Sequence, residues 1–596
     1  MLPDNPLIVQ SDRTLMLHTV RTVCDDKGAP LKDEAGRPVT EEHPRFAEAR
    51  DRLAIFAELE KSPDYLHTYR ITPVSIWNAA ALRFSADDIR EALEDLSCVP
   101  VPQSVLDQAA GWIERYGLLR IERVGERFEL TSHDPAVLPD VLGHDSVAQR
   151  CTTDEEGRAW VDPLHRGSIK QALIKIGFPV DDRGGYLDGD PLDIELREVA
   201  LSGSPFGLRP YQEQAAAAFH AGGTVEGGSG VVVLPCGAGK TITGMGVMQR
   251  VGTKTLILTT NTIAVRQWRE ELLDKTTLTE DEVGEYTGDQ KEVRPVTITT
   301  YQMLTWRRSK TDDFEHFGLF SRENWGLVVY DEVHLLPAPI FRVTADLQAR
   351  RRLGLTATLV REDGKEDEVF CLIGPKRYDV PWKVLEGQGF IATACCVEVR
   401  VPLEPSLRSR YAAAGPRSKF RIASENPEKI GVLERLLARH AGGRILIIGQ
   451  YIDQLTRLSA HLGAPLITGK TPNPERERLY SAFKAGQEPI LIVSKVGNFA
   501  IDLPDANVAI QVSGAFGSRQ EEAQRLGRIL RPKSDGSAAW FYSVVTLGSR
   551  DQEFAEKRQL FLTEQGYTYE IIEASSLEAD VNRTEADLQT DRGATS

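Results

Sequence analysis

"GVVVLPCGAGKT", residues Gly230 to Thr241, decides the fold. An apolar β-branched run enters a Gly-rich turn, and residues that suit a helix follow. In that arrangement backbone N–H groups and a helix N-terminus face phosphate oxygens. Gly237 and Gly239 shape the turn, Lys240 reaches the β- and γ-phosphates, and Thr241 ligates Mg²⁺. Leu234 stands where the strict G-x-x-x-x-G-K-[ST] pattern has its first glycine. The looser match leaves a chance turn open until other motifs are read.

Outward from this point, continuous apolar strands alternate with helical segments. On the first side are "KTLILTT" (Lys254 to Thr260), "VTITTYQML" (Val296 to Leu304) and "WGLVVYDEVH" (Trp325 to His334). Beyond residue 390 come "RILIIGQ", "PLITG", "PILIVSK" and "NVAIQVS". Unbroken apolar strands between helices predict parallel sheets buried on both faces. Two such sets predict an α/β fold with two parallel-sheet domains in tandem, at about 201–390 and 391–572.

Ahead of them, residues 1–130 read as an α+β region. Helical patterns occur around Phe46–Leu59, Ile76–Arg83 and Ala86–Leu96, with Ser85 as an N-cap. "LRIERVGERFEL" reads as a hairpin, and helices closed by a hairpin resemble a winged helix. Residues 131–165 have a linker-like composition, and residues 573–596 read as an acidic, disordered tail.

With 41% hydrophobic residues the chain can bury several cores, and no stretch of about eighteen apolar residues occurs. The first ten residues lack a basic-then-apolar leader, which predicts a soluble, cytoplasmic protein with no membrane partner. Seven scattered cysteines form no C-x-x-C pair, so neither a cysteine-ligated metal nor a disulfide framework is expected. Net charge is −16, yet residues 1–200 sum to −14 and 401–560 to +7, so a basic face is available on the third block.

"VVYDEVH" (Val328 to His334) ends a buried strand on two acids. Asp331 is placed to hold Mg²⁺, and Glu332 to act as the base for an attacking water. In "LRPYQEQA" Gln212 faces the adenine edge, and in "VSKVGNFAIDLP" Asp502 faces the ribose. "QEEAQRLGRILRP" offers Gln524, Arg525, Arg528 and Arg531 on one helix, with Arg525 expected to contact DNA and Arg528 and Arg531 sharing a face as arginine fingers. Any single one of these fits a solvated surface; the ordered set does not.

Together these motifs resemble the XPB family of superfamily-2 DNA helicases, to about residue 572. The family-specific pieces are "NPLIVQSD", "LPCGAGKT", "DEVH", "LGLTATLVRED", "SKVG", "DLPDANVAIQ", "SRQEEAQRLGRILR" and "KRQLFLTEQGY". The resemblance implies two RecA-like motor domains that use ATP and Mg²⁺ for 3′→5′ translocation on DNA with strand separation. It also implies an XPB-type N-terminal domain, a damage-recognition-like segment at about 166–200, and a thumb-like insertion near 405–425. Lacking the long eukaryotic N-terminal extension, the chain resembles the prokaryotic form, expected as a nucleoid-associated monomer.

By the same resemblance Arg361, Glu362 and Asp363 belong to the unwinding element. A mixed-charge triplet suits a wedge rather than a grip, because it avoids holding DNA too tightly. The plain alternative is a charged surface loop. For the grip, "LRSRYAAAGPRSKFRI" carries Arg408, Arg410, Arg417, Lys419 and Arg421 for phosphates, and Tyr411 and Phe420 for stacking on bases. Two other functions stay open: a duplex-DNA translocase without net unwinding, and an ATP-gated platform for a partner nuclease or for transcription or repair proteins.

Overall fold

The computed structural model describes the chain except residues 1–4, 25–28, 33–37, 62–64, 163–164, 187, 225–226, 310–314, 317, 320–322, 337–350, 358–365, 381, 495–505, 515–524, 528–537, 565–566, 568 and 579–596. Two compact units result, residues 1–235 with 239–380, and residues 236–238 with 381–596.

The first unit holds a seven-stranded sheet. Its order is Val283–Tyr286, Val296–Thr300, Thr255–Thr259, Leu327–Asp331, Arg351–Thr356, Ser229–Val233, Lys376–Asp379, and every pair is parallel. Strands Ser229–Val233, Thr255–Thr259 and Val296–Thr300 are buried along their whole length, as their unbroken apolar runs require of a sheet covered on both faces. Val231, Leu256, Leu258, Val328 and Tyr330 share one core. Burying each such side chain contributes about 1.5–3 kcal/mol.

The chain leaves Ser229–Val233 and re-enters the sheet at Thr255–Thr259, three places along. This crossover sets the ends of Ser229–Val233, Arg351–Thr356 and Leu327–Asp331 side by side, and such a switch point is where α/β sheets bind ligands.

The second unit repeats the plan with another seven-stranded parallel sheet, ordered Leu466–Ile467, Ile490–Val493, Ile445–Ile448, Val508–Gln511, Ala539–Thr546, Ala394–Val401, Tyr569–Glu573. The expected fold class, two parallel-sheet α/β assemblies in tandem, is the one observed.

The helices expected in the N-terminal region form as Phe46–Phe56, Pro73–Ala81 and Ala86–Leu96. Ser85 caps the last as expected, its Oγ accepting from Asp88 N at 3.1 Å while the Asp88 carboxylate accepts from Ser85 N at 2.7 Å. A helix at Gln103–Arg115 was not legible. The hairpin Leu119–Val124 with Arg127–Ser132 forms, but it sits inside a five-stranded sheet with Val180–Arg183, Ala159–Val161 and Cys151–Thr153. Two of those strands come from the stretch with linker-like composition. Its apolar residues are few but well placed: Val141, Ala159 and Val161 join Ile121, Phe128 and Ile169 in one core.

Candidate active site

The Gly-rich turn needs its glycines. Gly237 and Gly239 have φ of 81° and 78°, backbone that other residues adopt only with strain. A Cβ on Gly239 would stand 2.6 Å from Gln212 Nε2. Gln212 is therefore packed directly on the turn, with its Oε1 accepting from Arg209 N at 2.9 Å. From Gly239 the helix Lys240–Val251 begins, and Thr241 lies in its first turn.

Lys240 Nζ meets Glu332 Oε1 at 2.9 Å, with the two side chains 12% and 19% exposed. Residues predicted from motifs 92 positions apart are thus in contact. Asp331 ends the strand Leu327–Asp331, and Glu332 turns sharply away with φ 51°. A non-glycine residue in that region costs on the order of 1 kcal/mol or more, and such strain clusters at functional sites.

Three further side chains fix this corner: His334 closes the D-E-V-H motif, while no motif reveals Trp268 or Tyr301. Trp268 Nε1 donates to Asp331 Oδ2 at 3.0 Å. Gly244 in the phosphate-loop helix gives the indole room, because a Cβ there would lie 2.7 Å from Trp268 Cη2. Tyr301 Oη donates to the Asp331 carbonyl at 2.8 Å. Buried His334 meets Thr356 Oγ1 at 2.7 Å and Glu332 Oε2 at 3.5 Å, joining the acid pair to the end of the neighbouring strand. The only signal for Trp268 was its place on an amphipathic helix behind a buried strand.

The electrostatics suit a cation. Burial first, then the adjacent Glu332 charge, pushes the Asp331 carboxyl up to about 6, against the pull of Lys240 and the Trp268 hydrogen bond. Two adjacent carboxylates, with Lys240 against Glu332, make a hard oxygen donor set of the kind that suits Mg²⁺.

Asp502, Gln524, Arg528, Arg531, Arg361, Glu362 and Asp363 lie outside the described residues. Arg525 corrects an expectation. It is wholly buried and donates to Gln511 Oε1, so it holds its helix to the strand Val508–Gln511 rather than touching DNA. The basic stretch is also more structured than a loop, forming helices Arg408–Ala413 and Pro416–Ser424. Phe420 is not available for stacking on a base: it is fully buried, edge-on to Phe554 at 4.9 Å. Tyr411 Oη accepts from Arg550 N at 2.9 Å. Arg408, Arg410 and Arg417 are exposed, and Lys419 is half-buried with its ammonium 5.6 Å from the Tyr411 ring. Arg421 is committed to Glu425 at 2.8 Å and Asp453 at 2.6 Å.

Residues 385–593 match the family described as ERCC3/RAD25/XPB C-terminal helicase. Residues 205–361 match the family of the type III restriction enzyme res subunit. Residues 35–154 match one described as helicase conserved C-terminal domain, although here they form the helical N-terminal region and part of its neighbouring sheet. A Kineococcus radiotolerans protein named DNA 3'-5' helicase XPB is 51% identical over 582 residues, covering 97% of this chain and 98% of its own. The Mycobacterium tuberculosis protein of the same name is 50% identical over 578 residues, with 97% and 99% covered. The Saccharomyces cerevisiae helicase/translocase subunit XPB/SSL2 of general transcription and DNA repair factor IIH is 31% identical over 608 residues, with 90% and 71% covered. Among the described residues no helix is long and apolar enough to cross a membrane.

Proposed function

The chain belongs to the XPB family of DNA helicases, and from that premise we propose that it couples ATP hydrolysis to 3′→5′ movement along DNA and to strand separation, in DNA repair, transcription or both. The observation that carries this reading is the contact of Lys240, from the Gly-rich turn, with Glu332, which directly follows Asp331 at its strand's end, with Trp268 holding one Asp331 oxygen.

Each residue has a task that its position supports. Gln212, wedged against Gly239, reads the adenine edge while bracing the phosphate turn. Backbone N–H groups around Gly237 and Gly239 and the Lys240 ammonium bind the β- and γ-phosphates. Asp331 and Thr241 would hold Mg²⁺, which would supply charge neutralisation for those phosphates. Glu332 orients the attacking water and takes its proton. Glu332 pairs with Lys240, and phosphates that draw the ammonium towards them would release the base. Asp502, Gln524, Arg528 and Arg531 complete the nucleotide contacts, the two arginines stabilising charge in the transition state. Arg361, Glu362 and Asp363 form the separating wedge, and the helices around Arg408 to Lys419 hold phosphates. Partner proteins of the nuclease, repair or transcription class would act on the acidic N-terminal region.

The test is unwinding of a forked duplex measured beside DNA-stimulated ATPase. Both activities together are the expected result. ATPase without unwinding would reduce the reading to a duplex translocase, and the absence of both would overturn it.

A further inference from the structure

Inside the first unit, away from the nucleotide corner, a cavity of about 300 Å³ opens where three parts of the chain meet. The helix Pro73–Ala81, the strand Val180–Arg183 and the edge strand Lys376–Asp379 all contribute to its surroundings. The helix and the edge strand are tied there by Lys376 N donating to Asn78 Oδ1 at 3.4 Å, and Arg377 Nε donates to the Ser229 carbonyl at 2.9 Å within the sheet. The motor reading assigns this cavity no role.

Its wall is rich in cations. Arg83, Lys170, Arg183 and Arg377 line it, against the carboxylates of Asp181 and Asp182. Each carboxylate is already engaged by two cations. Asp181 lies 2.7 Å from Arg183 and 3.8 Å from Arg120. Asp182 lies 2.7 Å from Arg166 and 3.0 Å from Lys170. Behind the wall, wholly buried Arg166 and Arg352 both face the Tyr186 ring, at 5.7 and 5.8 Å. Arg352 also donates to Ser229 Oγ at 2.8 Å. Taking positive charge out of water is costly unless an anion compensates it. Burial accordingly pushes the Lys170 ammonium and the Arg352 guanidinium down from their ordinary values, with Asp182 opposing the shift in both.

We propose that this cavity is an anion site that takes a phosphate group, held by Arg377, Arg183 and Arg83 at the mouth and by Lys170 at the base. Guanidinium groups and an ammonium lining one cavity suit a tetrahedral dianion. The volume admits one phosphate with its waters but not a folded peptide. Because the wall joins the N-terminal helices, the 119–183 sheet and the edge of the first parallel sheet, a bound phosphate would lock those three parts together. This proposal stands independently of the ATPase assignment.

The test uses the full chain carrying Lys240→Ala, which weakens phosphate binding at the Gly-rich turn by removing its ammonium, so that the Arg377 and Arg183 variants identify the cavity as the site. Inorganic phosphate is titrated by calorimetry at constant ionic strength. One bound phosphate per chain is expected. Adding Arg377→Gln, or separately the more exposed Arg183→Gln, should weaken it by about tenfold or more, the worth of roughly one charge-assisted hydrogen bond. Two variants guard against a single misfolded one, and each is checked for an unchanged melting profile. Competition by a short single-stranded oligodeoxynucleotide would assign the phosphate to a nucleic-acid backbone, and its absence to a free phosphate; both uphold the site. No binding in Lys240→Ala, or binding that Arg377→Gln and Arg183→Gln leave intact, means an adventitious ion only and overturns it.

Discussion

Lys240 in the first unit and Lys429 in the second each meet a carboxylate beside the C-terminal ends of a parallel sheet, at 2.9 and 2.7 Å. The surroundings of the two pairs differ. Lys429 is 3% exposed on its side chain, and its three N–H groups are all taken: by the carbonyls of Val512 and Val544, both at 2.8 Å, and by Asp551 Oδ2. Thr546 N donates to the same Asp551 oxygen at 3.2 Å, so the carboxylate is held from two sides. Lys240 instead opens a helix at a partly open corner, against a glutamate whose own backbone is strained at φ 51°. A buried pair whose lysine has every N–H taken is a rivet. A pair of similar length on strained backbone, beside phosphate-facing N–H groups, is an exchangeable one.

The largest expected effect bears on the exchangeable pair. Glu332→Gln and Lys240→Ala should each lower ATP turnover by about 10²- to 10⁴-fold, the range for removing a general base or a charge that stabilises the transition state. Glu332→Gln should still bind ATP, as read with a fluorescent analogue, because only the proton acceptor is gone. Neither change should move the melting profile much. Turnover near wild type in Glu332→Gln would remove the base from this corner.

The rivet should behave in the opposite way. Lys429→Met strands Asp551 in the second unit's interior, and breaking a buried pair costs about 3–5 kcal/mol. Urea denaturation should show that loss, while protein that remains folded keeps its nucleotide affinity. If Lys240→Ala destabilises the chain as much as Lys429→Met does, the distinction between the two pairs collapses.

What was legible in the sequence follows the same division. Buried strands announce themselves locally, because a two-sided sheet demands unbroken apolar runs, and so both sheets were readable. Lys240, Asp331 and Glu332 were readable because their motifs carry the strand-and-turn context with them. Trp268 and Tyr301 reach Asp331 from 63 and 30 residues away, and Lys429 reaches Asp551 across 122. No local pattern marks such pairs; only the topology brings them together. Phe420 misleads for a nearer reason. Its basic neighbours suggest an exposed ring, yet it lies three positions before Ala423 on one helix, and both are buried.

A smaller effect tests the strain and charge stored at the exchangeable corner. The folded chain raises the Asp331 carboxyl from 3.8 to about 6, so the folded state binds that proton more tightly than the unfolded state. Stability from this group is therefore complete below about pH 4 and lost as pH rises through about 6. Asp331→Asn should abolish ATPase yet make the nucleotide-free protein more stable at pH 7.5, by on the order of 1–3 kcal/mol. At pH 4 the gain should disappear. The asparagine Oδ1 can still accept from Trp268, so the fold of the corner is kept. A variant less stable than wild type at pH 7.5 would show that the acid pair is structural, as in the second unit.

The smallest effect extends the saturation criterion to the basic helices of the second unit. Arg421 already has Glu425 and Asp453 as partners, and Glu425 holds its guanidinium firmly charged and in place. Arg408, Arg410 and Arg417 are exposed on the same two helices. If availability rather than mere positive charge defines a DNA contact, only the second group should count. Replacing Arg408, Arg410 and Arg417 by glutamine should reduce the log–log salt slope of single-strand binding by up to about 0.7 for each phosphate no longer neutralised. Arg421→Gln alone should change that slope little, because its charge is compensated within the protein. Folding stability should stay within about 0.5 kcal/mol in the triple variant, as surface changes usually do. An equal fall in slope from Arg421→Gln would mean that DNA pulls it from its two carboxylates, making that pairing as exchangeable as the one between Lys240 and Glu332. An unchanged slope in the triple variant would leave these helices as a solvated face and move the grip elsewhere in the chain.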